Sequence, residues 1–331
     1  MHGNFLRVAP FLFLLLVATA ARAESPGMAE LSTAQAKEQS PLGARVIAEM
    51  GMGSGTLISN EFADDPLVYS ALTFTPIYRL ESLPFRPNLS LTQTLQWEYT
   101  QPNNVSARRF QWSDTALSLS SNNIYHHEPT GIRLGGTIAA TLPISYRSMA
   151  THKITTTSAS ARALWMGGGF VLMGSLGAAK HFYRYPTEIH EGEVRFDDGY
   201  QAVHCRSGQE VCLGGRYALN WSTTAGAMVS YSVMPQMTVT LDMAWTGGWR
   251  RAAPVDEFTS PNARNDNRTI DMTRALLDIS YVLTEKLSLS LGAATMQPLL
   301  SSDNRSWRNP FYDGHPRNNF TTFYLDAVYS I

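Results

Sequence analysis

Between Arg216 and Arg250 the side chains sort into two sets when the chain is read two residues at a time. One set holds Tyr217, Leu219, Trp221, Thr223, Ala225, Ala227, Val229, Tyr231 and Val233; the other holds Arg216, Ala218, Asn220, Ser222, Thr224, Gly226, Met228, Ser230 and Ser232. After Met234-Pro235 the pattern resumes, with Met237, Val239, Leu241, Met243, Trp245 and Trp249 set against Gln236, Thr238, Thr240, Asp242, Thr246 and Arg250. Successive side chains of a strand point to opposite faces, so this is a β-hairpin with one apolar face and one polar face. Globular strands usually run about 5–6 residues. This alternation outlasts the roughly 9–11 residues that a tilted strand needs to cross a bilayer.

The same signal recurs along the chain. Leu72, Phe74 and Tyr78 oppose Thr73, Thr75 and Arg79; Leu89, Leu91, Leu95, Trp97 and Tyr99 oppose Ser90, Thr92, Thr94, Gln96 and Glu98. Ile132, Leu134, Ile138 and Leu142 oppose Arg133, Thr137 and Thr141; Ala275, Leu277, Ile279, Tyr281 and Leu283 oppose Arg274, Asp278 and Ser280. Further strands are expected at 46–57, 110–121, 153–166, 170–185, 287–299 and 319–331. The fold class is therefore all-β: a transmembrane antiparallel β-barrel of about 12 strands, greasy outside and polar inside. Its connections sort into two kinds. Those near Pro84 and at Gly167–Gly169, Met234-Pro235 and Thr284–Lys286 are tight. Those at Ile58–Pro66, Gln101–Arg109, Tyr146–His152, Pro186–Gly215, Arg251–Arg268 and Leu300–Asn318 lie on the other side and include long ones, as extracellular loops of such barrels do. Only Asn122–Thr130 breaks the rule.

The N-terminus has a basic start at Arg7, an apolar run from Val8 to Ala21 and a small-x-small end, Ala21-Arg22-Ala23. Residues 1–23 are expected to be a secretory signal peptide, 24–44 a flexible periplasmic segment, and 45–331 the barrel with long extracellular loops. No later stretch approaches the roughly 18 apolar residues of a helical span. A formal net charge of −1 gives no electrostatic reason for a nucleic-acid partner. Cys205 and Cys212 stand close together in a chain that reads as exported, so they are expected to form a disulfide pinning the Pro186–Gly215 loop.

Aromatics fall at strand ends on the apolar face. Tyr78, Trp165, Tyr231, Tyr281 and Tyr329 mark one end; Trp97, Trp221, Trp245 and Trp249 mark the other, as two interfacial girdles require. The final strand alternates apolar residues back from the terminus through Ile331, Tyr329, Leu325 and Phe323. It resembles the C-terminal assembly signal of Gram-negative outer-membrane β-barrel proteins, though Ile331 stands where that class most often has Phe. The resemblance implies a location in the outer membrane after export, contact with outer-membrane lipids, and recognition by the barrel-assembly machinery during biogenesis.

The polar register collects Arg79, Glu98, Asp114, Arg133, Arg162, Asp242, Arg250, Arg274, Asp278 and Asp326 as lumen residues. Rings of such side chains set pore selectivity, which points to a passive, porin-like channel for small solutes; the same charges would also fill a closed barrel that acts through its extracellular loops. A membrane-embedded lipid hydrolase would need converging nucleophile and base. Ser175 shares a strand and a face with His181, a spacing common by chance, and no Gly-x-Ser-x-Gly turn occurs. His190, Glu191, Glu193, Asp197 and Asp198 read as solvated loop residues rather than metal ligands. No catalytic residue, cofactor or metal is assigned.

Overall fold

The alternating stretches become strands. In chain order these are β1 (Leu42–Gly53), β2 (Val68–Arg79), β3 (Asn88–Glu98), β4 (Phe110–Trp112), β5 (Thr115–His127), β6 (Ile132–Leu142), β7 (Lys153–Gly167), β8 (Phe170–Tyr183), β9 (Thr187–Glu191), β10 (Val211–Tyr217), β11 (Leu219–Met234), β12 (Met237–Arg250), β13 (Thr269–Val282), β14 (Leu287–Pro298) and β15 (Thr321–Ser330). Two short helices, α1 (Ser54–Leu57) and α2 (Tyr146–Ala150), follow β1 and β6. The structure, a computed structural model, describes residues 40–57, 67–100, 110–185, 187–191, 211–251, 269–300, 306–311 and 321–331. The expected signal peptide, most of the 24–44 segment and Cys205 lie outside these residues.

Every pairing is antiparallel, and the ring closes through β1 with β15 and β2 with β3. Strands β4 and β5 both pair with β3, at Leu95–Trp97 and at Asn88–Thr92 respectively. They are two halves of one stave, so the barrel has twelve staves. Strands β9 and β10 form a separate two-stranded ribbon.

Two strand bounds differ from the sequence expectation for physical reasons. The first strand starts at Leu42 and stops at Gly53, where α1 turns the chain. The stave expected at 110–121 breaks at Ser113-Asp114 and then runs on to His127. That extension removes the one exceptional gap: His127 O accepts from Gly131 N at 2.9 Å, and Gly131 takes φ +71°, a conformation easy only for glycine. The run Asn122–His127 carries no apolar alternation, yet it pairs with β6 after a register shift between Ser121 and Tyr125.

The two faces are chemically separate. Leu72, Phe74, Val229, Leu241, Met243, Leu277, Ile279, Leu289, Leu291, Phe323 and Leu325 are exposed on the outside. Their strand neighbours Ser230, Thr238 and Thr240 are buried and face inward. An apolar band of this extent belongs in lipid. The girdle residues Tyr78, Trp97, Trp165, Trp221, Tyr231, Trp249, Tyr281 and Tyr329 are exposed on the same face, with Trp245 half-buried beside them. Phe110 and Trp112 join them, Phe110 lying 5.9 Å from Trp97 and 5.4 Å from Trp112. At the C-terminus Phe323, Leu325, Tyr329 and Ile331 all face outward and exposed.

One polar outward side chain has a structural explanation. Gln93 sits beside the bulge at Ser113-Asp114, where the ladder to β3 shifts by a residue. Its Nε2 donates to Ser113 O at 3.1 Å and Thr94 O at 3.2 Å, and its Oε1 accepts from Thr115 Oγ1. Polar groups left without partners in hydrocarbon cost several kcal/mol each, so Gln93 serves the backbone that the bulge disturbs.

Large inward side chains are accommodated by glycines. The Tyr69 ring lies across Gly51, and the Tyr324 ring lies across Gly292, so close that a Cβ at either glycine would sit within 2.4 Å of ring carbon. Both rings therefore lie along the wall. Gly292→Val should lower unfolding stability by about 2 kcal/mol, the usual cost of overpacking. Gly174→Ala should change it by less than ~0.5 kcal/mol, since nothing lies within 4 Å of that position. Urea titrations of the tryptophan fluorescence of both variants check this.

Candidate functional site: the barrel lumen

The inward register defines the lumen, and it places the sequence candidates plainly. Arg79, Glu98, Arg133, Arg162, Asp242, Arg250, Arg274, Asp278 and Asp326 all fall on the inward face. Asp114 occupies the bulge between β4 and β5, near the extracellular end. They do not form a single ring. Arg79 and Arg133 lie near the periplasmic turns, where Arg79 Nη1 donates to Ser40 O at 2.9 Å. Arg250 ends β12 at the opposite mouth.

A charged and aromatic half-wall runs over β11–β15, β1 and β2. Arg274 Nη2 donates to Asp242 Oδ2 across β12 and β13. Tyr324 Oη donates to Asp278 Oδ2 at 3.0 Å, and Ser280 Oγ donates to Asp278 Oδ1 at 2.5 Å. Tyr69 Oη donates to Glu49 Oε1 at 2.5 Å. Glu49 and Asp326 are Cα partners on β1 and β15, two inward carboxylates side by side. The sequence reading missed Glu49, Arg45, Tyr69 and Tyr324. Glycines weaken the alternation of β1, and tyrosines had been assigned only to the girdles.

The other half-wall, over β3–β8, is different in kind. Between its ends the inward residues are Ser90, Thr92, Thr94 and Gln96, then Ala116, Ser118 and Ser120, Thr137, Ala139 and Thr141, Ser158 and Ser160, and Ser175 and Gly177. All are small except Gln96, and all keep part of their surface exposed. Their hydroxyls pair across strands where they meet, as in Ser90–Ser118 at 2.7 Å. The one long side chain here, Arg162, lies across Gly135 and donates to Asn122 Oδ1. Toward the periplasmic end the wall turns apolar at Leu164, Val171, Met173 and Met228, which pack together.

The rim at the β6–β7 connection is fixed by Asp114. Its Oδ1 accepts from Ser145 N at 3.0 Å, and its Oδ2 accepts from Ser148 Oγ at 2.6 Å and from Lys153 Nζ at 3.1 Å. Ser145 also caps α2, accepting from Ser148 N at 3.1 Å. The short connection between β6 and β7 is thus tied to the neighbouring stave.

A histidine–serine pair does occur, between two staves. His181 Nε2 lies 2.9 Å from Ser222 Oγ, and Nδ1 lies 3.0 Å from Thr156 Oγ1. Ser175 instead stands opposite Arg162. His181 is 2% exposed, and its second nitrogen faces the Thr156 hydroxyl. The imidazole links three staves, β7, β8 and β11. Of the remaining candidates, Cys212 lies in β10 while Cys205 lies outside the described residues; Glu193, Asp197 and Asp198 also lie outside them.

No family model and no curated protein sequence matches the chain. Solved structures do. An outer-membrane channel from Pseudomonas putida F1 superposes with a TM-score of 0.54 at 12% identity, covering 89% of this chain and 97% of that one. The fold is that of the outer-membrane β-barrels. The NanC porin aligns with a TM-score of 0.44 at 7% identity, covering 86% of this chain and 98% of its own. The KdgM porin gives 0.41 at 7% identity, covering 87% and 99%.

The Asp242–Arg274 pair is an ion pair of the lumen wall, with side chains 9% and 20% exposed. Arg274→Leu leaves a largely buried carboxylate without its guanidinium and should cost about 2 kcal/mol in unfolding stability. Arg274→Leu/Asp242→Leu should recover most of that loss, because neither charge is then stranded. With Asp242→Leu measured alone as well, a double-variant loss equal to the sum of the two single losses in urea titration would mean the two groups are not coupled.

Proposed function

We propose that the protein is a passive outer-membrane channel for small hydrophilic solutes. One observation carries this reading: between its ends the β3–β8 half-wall offers a stretch of small hydroxyl, alanine and glycine positions that keep part of their surface exposed. The large inward side chains support it. Tyr69, Tyr324 and Arg162 lie across glycines along the wall instead of projecting toward the axis. The Pseudomonas putida F1 protein of the same fold is an outer-membrane channel, which agrees with this assignment. Solutes would pass along hydroxyls, with carboxylates and arginines on the opposite wall setting the field they feel.

We read the His181–Ser222 pair as a strut between staves and assign no chemistry to it. Its burial leaves no room for a substrate beside it. The Asp114 clamp keeps the rim at β6–β7 from folding over the mouth.

Purified protein in planar bilayers should show ohmic conductance. Ser160→Trp and Thr137→Trp place indoles on the smooth half-wall and should each lower single-channel conductance by more than about half, because narrow pores are limited by their lining. Leu291→Trp, on the lipid face, should leave it unchanged. A wild-type protein without conductance would favour a closed barrel whose function lies in its extracellular elements.

A further inference from the structure

The outward register of β7, β8, β11 and β12 is apolar, glycine or threonine at every described strand position but one. The exception is Lys180. Its Cα partners are Trp221 on β11 and Thr157 on β7, both on the lipid-facing side. Its Nζ lies 4.7 Å from the centre of the Trp221 ring and donates to Asn220 Oδ1. An ammonium has three N–H donors, so this arrangement orients the group and leaves it donors for a ligand.

The same face continues upward. Lys180 and Phe182 face outward, and directly after β8 the chain makes one further bond toward β7, Arg184 N to His152 O at 2.9 Å, which places Arg184 two residues beyond Phe182. The Arg184 side chain is exposed, and its guanidinium lies 5.5 Å from the Tyr185 ring centre. Two cations, each held against an aromatic ring, therefore stand four residues apart at the end of β8, at most roughly 13 Å at a strand rise of about 3.3 Å per residue. Trp221 pairs with Trp249, and both belong to the extracellular girdle. On the described barrel staves the outward carboxylate Asp271 is three staves away on β13.

A cation facing hydrocarbon costs about 2–4 kcal/mol, falling to about 0–1 at the interface. A lysine and an arginine fixed outward at girdle height are therefore suited to the anionic headgroup layer. We propose that Lys180 and Arg184, positioned by Trp221 and Tyr185, form a docking site for the phosphorylated headgroup of an outer-leaflet lipid. The bilayer supplies the occupant: these side chains point out of a barrel whose outer face is apolar below them. The site does not depend on whether the lumen conducts.

Native mass spectrometry of the intact protein tests this, with diphosphorylated lipid A, its dephosphorylated form and phosphatidylcholine each added in turn. The wild type should retain diphosphorylated lipid A about fivefold more than the other two, the discrimination expected of a partly desolvated charge contact. Lys180→Gln/Arg184→Gln should lose that preference. Lys286→Gln, in the periplasmic turn, should keep it. If the double variant does not assemble, the two single variants should each lose part of the preference. Equal retention of phosphorylated and dephosphorylated lipid, or an undiminished preference in the glutamine variants, would overturn the proposal. Displacement by millimolar inorganic phosphate would overturn it too, since the site would then bind the ion rather than the lipid.

Discussion

Hydrocarbon cannot hydrogen-bond to a sheet edge, so each strand of this chain must find two neighbours or not enter the membrane at all. Closure of β1 on β15 and of β2 on β3 meets that requirement, and most other features follow from it. With a closed wall, every residue is either outside or inside, and a period of two in the sequence becomes a choice of solvent. The bulge at Ser113-Asp114 shows how strict the rule is. Where the ladder slips by one residue, Gln93 turns its amide onto the disturbed backbone, although it stands on the apolar face. The histidine His181 and the carboxylate Asp114 act in the same spirit, tying adjacent staves at the extracellular end.

The interior then has a packing problem that a soluble core does not have. Side chains must be satisfied without filling the centre. The chain answers it unequally around the ring. One half-wall takes tyrosines, carboxylates and arginines, bonds them to one another and lays the tyrosines over glycines. The other takes hydroxyls and small residues. This division lets charge and passage coexist in one lumen. It gives a solute one wall with a strong field and one with little steric relief.

Much of this is legible in the sequence alone. The hairpin Arg216–Arg250 and the strands around Trp97, Leu134 and Leu277 declare their faces because orientation and periodicity are the same fact for a strand. The inward placement of Asp242, Arg274 and Asp278 follows directly. Pairing was not legible. Ser175 shares a strand and a face with His181, but the hydroxyl His181 meets, Ser222, lies on the next stave. Glu49 and Arg45 were overlooked because glycines dilute the pattern of β1, and those glycines are there for Tyr69 and for closure, both of which are long-range. The break between β4 and β5 depends on Gln93, some twenty residues upstream. Lys180 violates the outward rule, and its rationale appears only once Trp221 is seen across the strand.

The central claim is that alternate residues of one strand face two different solvents. Spin labels placed singly at Ser158, Ala159, Ser160 and Ala161 of β7, in a Cys205→Ser/Cys212→Ser background reconstituted in bilayers, test it most directly. Collisional accessibility should alternate: a water-soluble nickel reagent should reach positions 158 and 160, and oxygen dissolved in lipid should dominate at 159 and 161. The opposite parity, or the same accessibility at all four positions, would contradict the account.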